Sequence, residues 1–323
     1  MKAFEYASPG SLHEAFGLLG SSWADANILA GGTDQISLMK DLIHTPKRVV
    51  NIKGIKELGG ISKSGSNIRI GATVTLDDLM ENALIRKELP SLATAAREVG
   101  SPQIRNMGTA GGDLCQRPRC WYFRNGFGLL AMHDGASLID AGQNEFHAIF
   151  PKGPAKFVSA SSLGPALIAL GAKVTIASSS GKRSVDVKNF FLAPSSADQR
   201  EVDLKPNEIL TEIVVPVGGM KNATYEIRQR EGLDWPLATA SVALKMSGNT
   251  ADAVSIVLGH VGPTPVVAEQ AAAVIKGKEI DETTAAQAGE AAGFGASPLS
   301  GNAYKVQLVK TAVKRALLAA AKA

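Results

Sequence analysis

The chain has 323 residues, 45% hydrophobic and 20% charged, a balance that fits a folded globular protein and excludes a disordered or fibrous one. Its length favours two domains over one. A formal charge of +4, from 34 basic and 30 acidic side chains, is too small to specify a nucleic-acid or membrane surface, and two cysteines make no disulfide framework.

In chain order, Ser11 and Glu14 form a capping box that opens a short helix through Leu12, Ala15, Phe16 and Leu19. The stretch NILAGGTDQ reads as a strand running into a glycine turn, and residues 48–52 and 67–76 are β-rich. Thr75 and Asp78 form a second capping box before a helical pattern that Pro90 breaks into two helices, with Gly100 and Pro102 ending the second. After residue 105 the pattern is glycine-rich and irregular. A helix is then expected near 162–170, followed by two strands about a Ser-Gly turn and another strand at 208–217. VGGMKN is the best boundary, short and polar between apolar segments. Beyond it come further strands, two of them joined by a Gly-Asn turn, and three alanine-rich helices. The last carries Val306, Val309, Val313, Ala316 and Leu317 as a core-facing stripe. Strands and helices in mixed order predict two α+β domains meeting at a cleft. No stretch reaches the roughly 18–20 apolar residues of a membrane span. The start shows no signal-peptide pattern, so a cytoplasmic location is expected.

Residues 105–124, RNMGTAGGDLCQRPRCWYFR, concentrate the chemistry. Cys115, Cys120 and His133 match three ligands of a zinc pattern, but His147 lies too far on to be the fourth, and two cysteines are too few for an iron–sulfur cluster. Arg105, Arg117, Arg119 and Arg124 interleave with Trp121 and Tyr122, a mix suited to nucleic acid and equally to a protein interface. A third reading is phosphate. LAGGTDQ at 29–35 and TAGGDLC at 109–115 share Ala-Gly-Gly, and glycine lets successive N–H groups converge into a nest for a pyrophosphate. Two such loops would grip one dinucleotide from both sides; a pair of tight turns is the plainer alternative. No P-loop or nucleophile elbow is present, GFGLLA lacks the strand and acidic residue of a Rossmann unit, and His260 reads as a strand-end residue rather than a base.

ILAGGTDQISLMK and SPQIRNMGTAGGDLCQRPRCWYFR, with EILTEIVVP and the closing α+β region, resemble the FAD-binding medium subunit of molybdenum hydroxylases, the xanthine dehydrogenase, aldehyde oxidoreductase and carbon monoxide dehydrogenase group. The resemblance covers nearly the whole chain. It implies a non-Rossmann, two-part FAD-binding domain over 1–217, divided at about residue 55, and a smaller α+β domain over 218–323. It implies that Ala30, Gly31, Gly32, Thr33 and Asp34 wrap the pyrophosphate, bordered by Leu29, Gln35 and Ile36. Gly108, Thr109, Gly111 and Gly112 would form a second wall, with Ile104, Asp113 and Ser161 among the contacts. Leu210 would pack on the cofactor, while Arg228 and Asp234 would make polar flavin contacts, the first stabilising negative charge and the second accepting a hydrogen bond.

Three positions depart from the family pattern. Asp113 stands where asparagine is common, and its carboxylate would sit awkwardly beside phosphate unless it turns away. Ser161-Ser162 replaces a frequent Ser-Asp. LCQRPRCWYFR resembles a branch with an extra iron–sulfur cluster, but the continuation here has no cysteine, so the segment is expected to persist as a flavin wall and docking loop without metal and without a [4Fe-4S] cluster. The resemblance further implies partners, a molybdopterin-binding large subunit and a [2Fe-2S] small subunit, and possible export of the assembled complex on a partner's signal. No catalytic acid, base or nucleophile is expected in this chain. A stand-alone flavin oxidoreductase and an FAD-free scaffold are the rival readings.

Overall fold

The computed structural model describes residues 1–230 and 233–323; Glu231 and Gly232, in the stretch joining Arg228 to Asp234, lie outside the described residues. The N-terminal part alternates strand and helix and makes a parallel three-stranded sheet, with Arg48–Asn51 between Glu5–Ala7 and Ala26–Leu29. Its apolar face closes over Leu12, Ala15, Val50, Ile52, Ile55 and Leu58. Ser11 caps the helix Leu12–Leu18 by accepting from the Glu14 N–H, whereas the Glu14 carboxylate accepts from Gly10, not from the cap itself.

An antiparallel five-stranded sheet follows, ordered Ile61–Ser64, Asn67–Gly71, Ile209–Pro216, Lys173–Ser178, Gly181–Asp186. Three helices, not two, cover residues 76–97: Leu76–Glu81, Ala83–Glu88 and Pro90–Arg97. Asn82 is the unforeseen break, because its side chain caps the second helix by accepting from the N–H groups of Leu84 and Ile85 at 3.0 and 3.2 Å. The stretch after 105 is also more regular than its glycines suggest. It contains the helices Pro102–Met107 and Ala110–Cys115, and the second glycine pair lies inside the latter.

The C-terminal part is an antiparallel sheet of Lys221–Ile227, Ala238–Ser247, Thr250–Gly259 and Val266–Val267, covered by the helices Glu269–Ile275, Glu282–Ala292 and Tyr304–Lys322. Val309, Val313, Ala316 and Leu317 are fully buried against it, so the apolar stripe of the last helix is a core face. The two parts also share a core: Ala243 and Val257 of this sheet belong to the same buried cluster as Leu92, Ala95, Ala166 and Leu167. Among the described residues no helix is long and apolar enough to cross a membrane.

Candidate functional site: a donor-lined cleft

A cleft of about 440 Å³ runs between these parts, and the first glycine turn forms one wall. The strand Ala26–Leu29 delivers the chain into the turn and the helix Gln35–Lys40 carries it away. Gly32 takes φ +77°, a backbone that L side chains rarely adopt. At Gly31 a Cβ would collide with the Met107 carbonyl, so only glycine lets this turn meet residues 107–108. The N–H groups of Gly31, Gly32, Thr33 and Asp34 have no protein partner among the described residues. These are the donors a pyrophosphate needs.

The second glycine pair is built differently, and the expectation of a matching donor nest is corrected here. Ala110 N–H donates to Val74 O at 2.8 Å, Gly111 N–H to Ala72 O at 2.9 Å, and Gly112 N–H to Thr109 Oγ1 at 3.2 Å. These donors are spent on the fold. The glycines serve close approach instead: a Cβ on Gly111 would lie 2.8 Å from that of Ala72. Gly108, Thr109, Gly111 and Gly112 still line the cleft, with Ile104 beside them, as a smooth wall facing the turn.

Arginines close the site. Asp34 accepts from the backbone N–H of Arg117 and from Arg124 Nη2, each at 2.8 Å, and from Arg119 Nη1 at 2.7 Å. Its carboxylate is therefore balanced by two guanidinium groups. Arg117 also pairs with Glu201 and lies 3.0 Å from His44 Nε2, while His44 Nδ1 lies 3.0 Å from Gln35 Oε1. Burial, then the Arg117 charge, pushes the His44 pKa down to about 3. The neutral ring accepts from Arg117 and donates to Gln35, which leaves the Gln35 amide nitrogen buried without a partner. Arg119 stacks on Trp235 at 4.6 Å and Arg200 on Trp23 at 4.1 Å.

Asp113 lines the cleft, but its carboxylate is committed to protein donors. Its carboxylate accepts from Ser161 Oγ, from Leu163 N–H at 3.0 Å and from Gln116 Nε2 at 2.8 Å. Burial pushes its pKa up to about 6, against the opposing effect of these hydrogen bonds. Ser161 is thus a buried support of Asp113 and does not line the cleft. Leu29 and Ile36 stand behind Gly32, while Ala30, Gln35 and Leu210 line the cleft itself. Asp234 reaches the rim in an ion pair with Arg230 at 2.8 Å. Arg228 lies behind Glu98, which lines the cleft, and pairs with Glu98 at 3.1 Å and with buried Glu226 at 2.8 Å. Burial raises the Glu226 pKa to about 7.

Trp23, His44, Glu98 and Arg200 come from separate segments with no neighbouring motif, while Glu226 and Trp235 flank Arg228 and Asp234 and were passed over beside them. Cys115 and Cys120 are free thiols. Burial pushes Cys115 up to about 12, and Cys120 Sγ lies 3.2 Å from His147 Nε2. Around Cys120 pack Phe123, Leu129, Leu130, Ala155 and Phe157. Among the described residues no group of three or more His, Cys, Asp or Glu side chains could hold a metal ion.

A glycine turn of donors unpaired among the described residues, apposed to a close-packed wall between two mixed α and β parts, is a fold outside the doubly wound Rossmann class. Comparison with known proteins gives the family. The model described as "FAD binding domain in molybdopterin dehydrogenase" matches residues 2–218, and that of the "CO dehydrogenase flavoprotein C-terminal domain" matches residues 223–320. The chain belongs to this family, the FAD-binding medium subunits of the molybdenum hydroxylases. It is 32% identical to the carbon monoxide dehydrogenase medium chain of Hydrogenophaga pseudoflava, over 98% of this chain and 96% of that one. It is 28% identical to the glyceraldehyde dehydrogenase medium chain of Sulfolobus acidocaldarius, over 86% and 83%. Among solved structures, quinoline 2-oxidoreductase from Pseudomonas putida 86 superposes with a TM-score of 0.78 at 28% identity, covering 99% of this chain and 98% of that one.

Proposed function

We propose that the cleft is the FAD site of an electron-transfer subunit, and that one observation carries the assignment to these residues: the run of N–H groups at Gly31–Asp34, unpaired among the described residues, on a turn that lines the cleft. That run fits a pyrophosphate, which carries only acceptors. Gly31, Gly32, Thr33 and Asp34 would hold it by backbone N–H. Gly108, Thr109, Gly111 and Gly112 would confine it from the opposite wall, with Ile104 and Leu210 as apolar contacts.

FAD, when bound, supplies the capacity to take up electrons and pass them on. The chain's part is to orient it, exclude water and set the local field. Arg228 brings positive charge close behind the wall at Glu98, but Glu226 and Glu98 hold it, so its field is attenuated rather than bare. Asp234 presents a carboxylate at the rim. Asp113 keeps its charge on Ser161 and Leu163 and spares the phosphate site the repulsion its position threatened. We infer that electrons arrive from a [2Fe-2S] small subunit served by a molybdopterin-binding large subunit, and that the two domains of this chain divide near residues 217–218.

The test is the visible spectrum of the purified chain before and after dithionite, with iron assayed on the same sample. Flavin bands that bleach, at one FAD per chain, are expected. A colourless chain that cannot be reconstituted with FAD would sink this reading and move the FAD-free scaffold ahead of it.

A further inference from the structure

Arg200 is a cationic side chain in the cleft wall whose charge has no ion-pair partner in contact among the described residues. It comes from the long connection between the helix Val187–Phe190 and the strand Ile209–Pro216, and its guanidinium lies over the Trp23 ring, 4.1 Å from the centroid. The Nε is buried with no hydrogen-bond partner among the described residues. The nearest carboxylates are committed elsewhere: Glu201 to Arg117, and Asp34 to Arg119 and Arg124. Arg117 adds like charge beside it, and burial with that repulsion lowers the Arg200 pKa to about 10, so it stays cationic at neutral pH. The indole face attracts the cation but accepts no conventional hydrogen bond, so the planar fork of donors is left open.

Such an arrangement is unfavourable unless an anion completes it. Four guanidinium groups, those of Arg117, Arg119, Arg124 and Arg200, gather around two carboxylates, and the excess charge is positive. Other unpaired groups line the same cleft, among them the Gln35 amide nitrogen, Arg119 Nε and the N–H run of Gly31–Asp34, and all three are donors.

We propose that Arg200, braced by Trp23, is the counter-ion of the dinucleotide pyrophosphate and a principal determinant of the cleft's affinity for FAD. This rests on the FAD reading of the cleft. Trp23 fixes the plane of the guanidinium, so the fork meets phosphate oxygens with little further loss of side-chain freedom. The glycine turn supplies neutral donors, and Arg200 supplies the charge they lack.

The test uses the full chain stripped of flavin, comparing wild type, Arg200→Gln and Arg200→Lys by FAD titration at several salt concentrations and by thermal melting without ligand. Arg200→Gln should weaken FAD binding about 10- to 100-fold, the scale of a charge-assisted hydrogen bond, and flatten its salt dependence. Arg200→Lys, which keeps the charge and loses the fork, should fall between. Without ligand, Arg200→Gln should melt no lower than wild type, because it removes an uncompensated charge. The proposal is overturned if Arg200→Gln binds FAD within about twofold of wild type, or if it melts lower without ligand while Arg200→Lys binds no better than it does, which would mark a structural strut. A wild type that binds no FAD would remove the flavin reading itself.

Discussion

Gly31 shows how a single missing atom organises the site. Its backbone lies against Met107 and Gly108, and a methyl group there would overlap the Met107 carbonyl. Gly31→Ala should therefore separate the two walls, at a cost of about 1–3 kcal/mol of stability, and lower the ratio of FAD to protein in the purified chain. Flavin absorbance and a thermal melt check both; retention of full flavin content would refute the apposition argument. Asp113 allows a prediction in pH. Its folded-state pKa is raised to about 6 from an ordinary 3.8, so the folded chain holds the proton more tightly than the unfolded chain. The stability this contributes is complete below 3.8, is lost as pH rises through about 6, and then stays level. Asp113→Asn removes that dependence. Its melting temperature relative to wild type should climb between pH 4 and pH 6 and flatten above, and a difference that is constant over that range would refute the burial argument.

At the scale of elements, identical substitutions should act with opposite sign according to what faces them. Gly289 lies in the helix Glu282–Ala292 where it crosses the helix Tyr304–Lys322, and a Cβ would come 2.5 Å from the Lys310 carbonyl oxygen. Gly17, in the helix Leu12–Leu18, has nothing within 4 Å of the corresponding position. Alanine gains up to about 1 kcal/mol of helix propensity at either site. Gly17→Ala should raise the melting temperature, while Gly289→Ala should lower it by forcing two helices apart, with flavin content unchanged because the crossing is remote from the cleft. Melting curves of the two variants decide the matter. The short helices Pro102–Met107 and Ala110–Cys115 make the same point without mutation. Neither has an amphipathic period long enough to read, yet both form, because their N–H groups find Ser101, Thr109 and the 72–74 backbone.

At the scale of the whole molecule, the link between the strands Ile209–Pro216 and Lys221–Ile227 is short, but the contact across it is a buried core. Ala243 and Val257 pack with helices of the preceding part, and Asn222 Oδ1 accepts from Ser91 N–H at 2.9 Å. The chain should therefore unfold in one calorimetric transition, displaced upward by FAD by about 2.7 kcal/mol of stabilisation at 100 times the dissociation constant. Two resolved transitions would show that the shared core does not couple the parts. What the sequence determined by itself was local: the capped helix starts at Ser11 and Thr75, the strands read at 48–52 and 208–217 and found at 48–51 and 209–216, the core stripe of the last helix, and the two glycine pairs whose order and spacing resemble the family. Caps, periodicity and glycine turns act over a few residues, so they can be read from neighbours. The tertiary structure alone decided which glycine pair keeps free donors, that Asp113 turns inward to Ser161, and that Arg200 meets Trp23 beside Asp34. Hydrogen bonds and charges take whichever partner the packed chain brings within a few ångströms, and that partner lies dozens of residues away in sequence.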